Sequence, residues 1–87
     1  MKVAIWDTHV TRTNGTTMHF DIIVPKSLED KQKILTFGAT YLREKEIEIA
    51  VLTTKECQFC HIEEASSSVI TTINQKGYDI IELENCV

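Results

Sequence analysis

The chain has 87 residues, 43% of them hydrophobic and 25% charged, a globular composition that excludes disorder. Nine Lys and Arg against thirteen Asp and Glu leave a net charge of −4, which argues against broad phosphate-backbone binding, so no nucleic-acid partner is expected. No apolar run approaches the roughly 18 residues of a membrane span, and Met1-Lys2-Val3 leads into a strand pattern rather than a cleavable signal; no membrane partner and a cytoplasmic location are expected.

Residues 1–87 read as a single domain without linker, repeat or low-complexity tract. A chain of this length buries only about 60% of its unfolded surface, so its core is modest. Residues 2–11 and 17–24 read as two strands around a turn. The second alternates cleanly, with Met18, Phe20, Ile22 and Val24 on one face and His19, Asp21 and Ile23 on the other. Loop length sets the register. A two-residue turn at Asn14-Gly15 would pair Phe20 with His9 and Ile22 with Asp7, mixing apolar and polar partners. A three-residue loop, Thr13-Asn14-Gly15, pairs Val10 with Met18, Thr8 with Phe20, Trp6 with Ile22 and Ala4 with Val24. It also puts Gly15 at the left-handed position that closes such loops. That register sets His9 opposite His19 and Asp7 opposite Asp21 on the second face, with Ile5 and Ile23 beside them.

Pro25 ends the strand, and Ser27 is the expected N-cap of a helix whose apolar stripe is Leu28, Ile34, Leu35, Tyr41 and Leu42. Gly38 falls on the same stripe, where close packing on the sheet would justify it. Residues 46–53 alternate again and are expected as the third strand. Thr53-Thr54-Lys55-Glu56 has the form of a capping box, which predicts a short helical turn carrying Cys57. Ser66 or Ser67 starts the final helix, with Val69, Ile70 and Ile73 inward. Gly77 ends it as a left-handed cap with Tyr78 reaching back to Ile73, and residues 78–83 form the last strand. The order β-β-α-β-α-β predicts an α+β, two-layer domain: a four-stranded mixed sheet with both helices on one face. The other face stays open to water or to a partner, and a homodimer or protein contact through Ile5, His9, His19 and Ile23 is one expectation.

The segment Cys57-Gln58-Phe59-Cys60-His61 is the main local chemical signal. Thiols at i and i+3 can reach one metal or each other. A tetrahedral zinc site would use Cys57 and Cys60, with His61, Cys86 and one of His9 or His19 as further candidate ligands. A single Cys-x-x-Cys is weaker support than two such pairs. A thiol-redox site would need the pair near a helix N-terminus, with His61 as proton acceptor. Covalent haem matches the pattern literally but lacks any export context, and nothing else supports a thioredoxin-like fold. Against these stands plain packing, since free cysteine is among the most buried residue types. Asp7, His9, His19 and Asp21 form a second polar cluster with metal-binding or acid–base chemistry, set against a solvated outer face. Trp6 reads as core. Glu63 and Glu64 could orient His61. No phosphate-loop, dinucleotide or serine-hydrolase signature occurs.

The stretches Trp6-Asp7-Thr8, Met18-His19-Phe20-Asp21 with Val24-Pro25, Cys57-Gln58-Phe59-Cys60-His61 and Lys76-Gly77-Tyr78 together resemble a small bacterial family catalogued as domain-of-unknown-function family 2024. The resemblance implies a compact α+β domain of this size, with no activity, cofactor or site residue to carry over. Ser66-Ser67-Ser68 stands where the resemblance implies proline at a helix start.

Overall fold

The computed structural model describes residues 1–48 and 52–86. Its elements run β1 (Lys2–Thr11), β2 (Thr17–Pro25), α1 (Lys31–Glu44), β3 (Cys57–Glu64), α2 (Ser67–Lys76) and β4 (Asp79–Glu84). The α+β class and the element order agree with the sequence reading. The β1–β2 hairpin has the three-residue loop: Arg12 N–H donates to Thr16 C=O at 2.8 Å and Gly15 N–H to Arg12 C=O at 2.9 Å, with Gly15 at φ 88°. Its register pairs Trp6 with Ile22, Thr8 with Phe20, Asp7 with Asp21 and His9 with His19.

The third strand differs from expectation. The middle of the expected strand, residues 49–51, lies outside the described residues, and the described flanks at 46–48 and 52–54 hold no strand. The strand beside β1 is Cys57–Glu64 itself. The capping-box residues close an isolated turn instead of opening a helix. Glu56 Oε1 accepts from Thr53 N–H at 2.7 Å and from its hydroxyl at 2.8 Å, and Thr53 Oγ1 accepts from Lys55 N–H at 3.2 Å. Ile47 and Leu52 still serve the core, packed against the main apolar cluster.

The sheet order is β3-β1-β2-β4, and every neighbouring pair is antiparallel, so the expected mixed sheet is not formed. A mixed sheet follows only if a helix returns the chain to an adjacent parallel strand. Here α1 carries it from β2 past β1 to one edge, and α2 carries it from that edge to the other.

The expectation of both helices on one face is likewise corrected. Against one face pack Ile34, Gly38 and Leu42 of α1, over a core of Ala4, Trp6, Phe20, Ile22 and Val24. Against the other lie Val69 and Ile73 of α2, over Val3, Ile5 and Ile23. The reason lies in the strands: at this end β1 and β2 are apolar on both faces. Burying a Val or Ile side chain is worth about 1.5–3 kcal/mol, so each face draws its own cover. The result is three layers.

Helix ends follow local chemistry. Asp30, not Ser27, is the N-cap of α1, its carboxylate accepting from Gln32 N–H at 3.0 Å and Lys33 N–H at 3.3 Å. Residues from Pro25 are spent on a turn, with Leu28 N–H on Pro25 C=O at 2.9 Å. Ser66 caps α2 through Val69 N–H at 3.3 Å. Gly77 ends α2 at φ 91°, donating to Ile73 C=O at 2.7 Å. Tyr78 joins the α1 layer, its ring stacked on Phe37 at 4.5 Å. Gly38 is where α1 meets the sheet most closely: a Cβ there would stand 3.0 Å from Ile22 Cδ1.

Gly77→Ala is expected to cost about 1–2 kcal/mol, the penalty of a left-handed residue with a Cβ, read as a lowered midpoint in urea unfolding. A second expectation concerns acid. Lys45 and the Tyr41 hydroxyl (2.6 Å) both donate to Glu82 Oε2, tying α1 to β4. These hydrogen bonds, Lys45 first, hold the Glu82 carboxyl below its usual 4.5. A depressed carboxyl stabilises the fold above its unfolded pKa, and that contribution is lost as pH falls through the folded value. Glu82→Gln should therefore be less stable than the parent at pH 7, the gap closing on acidification, as followed by thermal unfolding at successive pH values.

Candidate functional site

The α2 face of the sheet is divided. Where Val3, Ile5 and Ile23 lie, α2 covers it; Ile5 and Ile23, expected to offer an open apolar surface, are each 2% exposed. Beyond the reach of α2, the same face presents Asp7 and His9 from β1 and His19 and Asp21 from β2. Period-2 alternation puts all four on one side, and the hairpin register brings them abreast.

The four groups are coupled. The imidazoles of His9 and His19 stack with centroids 3.9 Å apart and planes 16° from parallel. His19 Nε2 is hydrogen-bonded to Asp7 Oδ1, and His9 Nδ1 lies 3.7 Å from Asp7 Oδ2. Burial pushes Asp7 upward, but hydrogen bonds from His19 and Asp21 and the field of both histidines outweigh it, so its carboxyl sits below the usual range. Asp21 moves the other way, raised by burial and then by the hydrogen bond to Asp7 and its charge. Two carboxylates face to face thus move in opposite directions, as like charges sharing a site do.

One donor atom from each of Asp7, His9 and His19 lies within 4.8 Å of the other two. Among the described residues this is the group of His, Cys, Asp and Glu side chains gathered closely enough for one ion. Donors about 2.0–2.1 Å from a tetrahedral ion stand about 3.3 Å from one another, so small side-chain rotations would close the set. The site opens to solvent, with the His9 side chain 53% exposed.

The cysteine segment is arranged differently from the expected turn. Cys57 opens β3 opposite Thr8, buried on the α1 face. Cys60 is the extra residue of a β-bulge, since Ile5 pairs with His61 and Trp6 with Phe59. It is exposed, with its Sγ 3.2 Å from His61 Nδ1. Glu63 does orient His61, its Oε1 at 2.9 Å from Nε2. Glu64 instead pairs with Lys2 at 3.3 Å and the N-terminal ammonium at 3.4 Å. Cys86 follows β4, at the opposite edge of the sheet from β3, buried with its Sγ 3.4 Å from the His19 carbonyl. All three cysteines are free, and the structure does not bring Cys57, Cys60, His61 and Cys86 together. A strand explains why: without helical winding, i and i+3 do not converge.

Sequence reasoning found the histidine cluster and missed one feature. Trp6, core as expected, has an indole Nε1 that is buried without an acceptor. Buried tryptophans ordinarily pair that donor, and an unpaired one costs about 1–3 kcal/mol. The signal available in the sequence was a lone Trp flanked in β1 by residues that the sheet itself uses.

A family model described as Domain of unknown function (DUF2024) matches residues 1–83. The NMR structure of protein NE1680 from Nitrosomonas europaea superposes with a TM-score of 0.87 at 37% identity, covering 100% of both chains. No curated protein matches. Among the described residues no helix is long and apolar enough to cross a membrane.

The cysteine geometry sets distinct reactivities. Burial raises the Cys57 thiol, while Cys60 lies open beside an imidazole. Titration of the native protein with an aromatic disulfide reagent should show one fast thiol, abolished by Cys60→Ser, with Cys57 and Cys86 reacting only on unfolding. Three fast thiols would contradict this placement.

Proposed function

Because the chain belongs to the DUF2024 family, whose description leaves the activity open, we propose a function from the site alone: a metal-binding domain that holds a divalent first-row ion at Asp7, His9 and His19. The observation that supports it is the convergence of two imidazoles and one carboxylate from adjacent strands of a rigid hairpin, each offering a donor within 4.8 Å of the others. Two histidines and a carboxylate are a ligand set used by zinc and by non-haem iron, with positions left open for water or a small ligand. Asp21, paired with Asp7 across the strands, stands in the place of an outer carboxyl, as is common at such centres. An ion there would also relieve the crowding of Asp7 and Asp21 that the register imposes. The zinc chemistry expected of Cys57, Cys60, His61 and Cys86 thus moves to the opposed histidines, and the two buried cysteines serve packing.

Isothermal titration of the untagged, chelator-stripped protein with zinc tests this. One equivalent should bind, and His19→Ala should weaken it by at least the roughly 10–100-fold that altering even an outer partner costs. Cys57→Ser and Cys60→Ser should bind as the parent does. Retention of zinc by His19→Ala with loss in Cys60→Ser would return the site to the cysteines.

A further inference from the structure

On the opposite face from the histidine cluster, the chain entering α1 stands away from the edge strand β3 and leaves a cleft. One cavity of about 350 Å³ is walled by Ala4, Leu28, Phe59 and Ile62, with Trp6 at its side. A second of about 360 Å³ adjoins it, and Trp6, Lys31 and Phe59 line both. Each volume lies within the range that small-molecule sites occupy, about 300–1,000 Å³.

Three properties of this cleft point to one ligand chemistry. Its walls are apolar and aromatic, and Phe59 and Ile62 are 52% and 38% exposed. Its rim carries Lys26 and Lys31 against Glu29, a net positive patch on a chain whose total charge is −4. Trp6 is 9% exposed and its Nε1 donor finds no acceptor among the described residues. A buried donor without a partner is rare in native structures and calls for an explanation. An apolar slot, ammonium groups among its lining and an unused N–H on a lining tryptophan are the complement of a flat hydrophobic body bearing one carboxylate.

We propose that this cleft binds a small aromatic monocarboxylate, its ring against Leu28, Phe59 and Ile62 and its carboxylate between Lys31 and the Trp6 indole N–H. Phe59 stands edge-on to Trp6, with centroids 5.8 Å apart. This aromatic pair stands where the two cavities share their lining. This site is independent of the metal proposal, since it uses the other face and none of the same residues.

The chain has one tryptophan, so a ¹⁵N-labelled sample gives a single indole N–H resonance that reports on the donor directly. It is titrated, with chelator present, with 3-phenylpropionate and with the neutral 3-phenylpropionamide. The acid should move the indole resonance saturably, with a Kd of about 1 mM or tighter. The amide should bind about fivefold more weakly, as should the acid to Lys31→Met, the loss expected of one partly solvated ion pair. Lys31 is exposed, so this variant should fold normally. An indole resonance that stays fixed with both compounds overturns the proposal. Equal binding of acid and amide, or undiminished acid binding by Lys31→Met, overturns the assignment of the charge.

Discussion

The three-residue hairpin loop constrains everything built on it. With Thr13-Asn14-Gly15 as the connection, the paired side chains of β1 and β2 are of like character apart from Thr8 opposite Phe20, and Gly15 takes the positive φ the closure needs. A slip of one residue would turn every side chain of one strand to the other face. Phe20 and Ile22 would leave the α1 layer, and His19 would leave His9. The apolar core and the candidate metal site are therefore set by a single geometric choice. The core can enforce it: Met18, Phe20, Ile22 and Val24 are all fully buried.

This coupling explains how the domain tolerates opposed carboxylates and stacked imidazoles on its surface. Cross-strand pairs of like charge are destabilising, yet the register that creates them also buries the other side of the hairpin. Asp7 and Asp21 shift in opposite directions, Asp21 raised by burial and by Asp7, and Asp7 lowered with the help of its hydrogen bond to His19. The α2 helix stops short of this half of the face, leaving the polar cluster accessible while Ile5 and Ile23 are sealed. Polar and apolar halves of one sheet face are thus kept apart by the length of one ten-residue helix.

Much of this could be read from the residues. Strict alternation in β2 and the glycine at 15 made the hairpin and its register legible, and with them the meeting of Asp7, His9, His19 and Asp21. The apolar stripe of α1 was equally clear. Two things were not. Alternation says which residues share a face but not which helix covers it, so the side taken by α2 is not legible in it. Residues 46–53 alternate as well as any strand, and the Thr53–Glu56 box suggested that a helical turn carried the cysteines; the choice of Cys57–Glu64 as the strand beside β1 depends on long-range pairing that no local pattern encodes. The thiols of Cys57 and Cys60, which helical spacing would join, are kept apart by extended backbone. The cleft at Trp6 depends on the same pairing, since Phe59 and Ile62 of β3 line it.

Both outer strands of the sheet carry an irregularity: β3 inserts Cys60 opposite the Ile5–Trp6 step, and the pairing of β2 with β4 shifts between His19 and Phe20. A kinked border cannot be copied by a straight one. A foreign segment laid along either rim would find its hydrogen-bonding row broken partway, and acidic side chains such as Glu63 and Glu84 beside the break. The insertion that sets the thiol of Cys60 out in solvent thereby also makes this rim a poor template for a further strand.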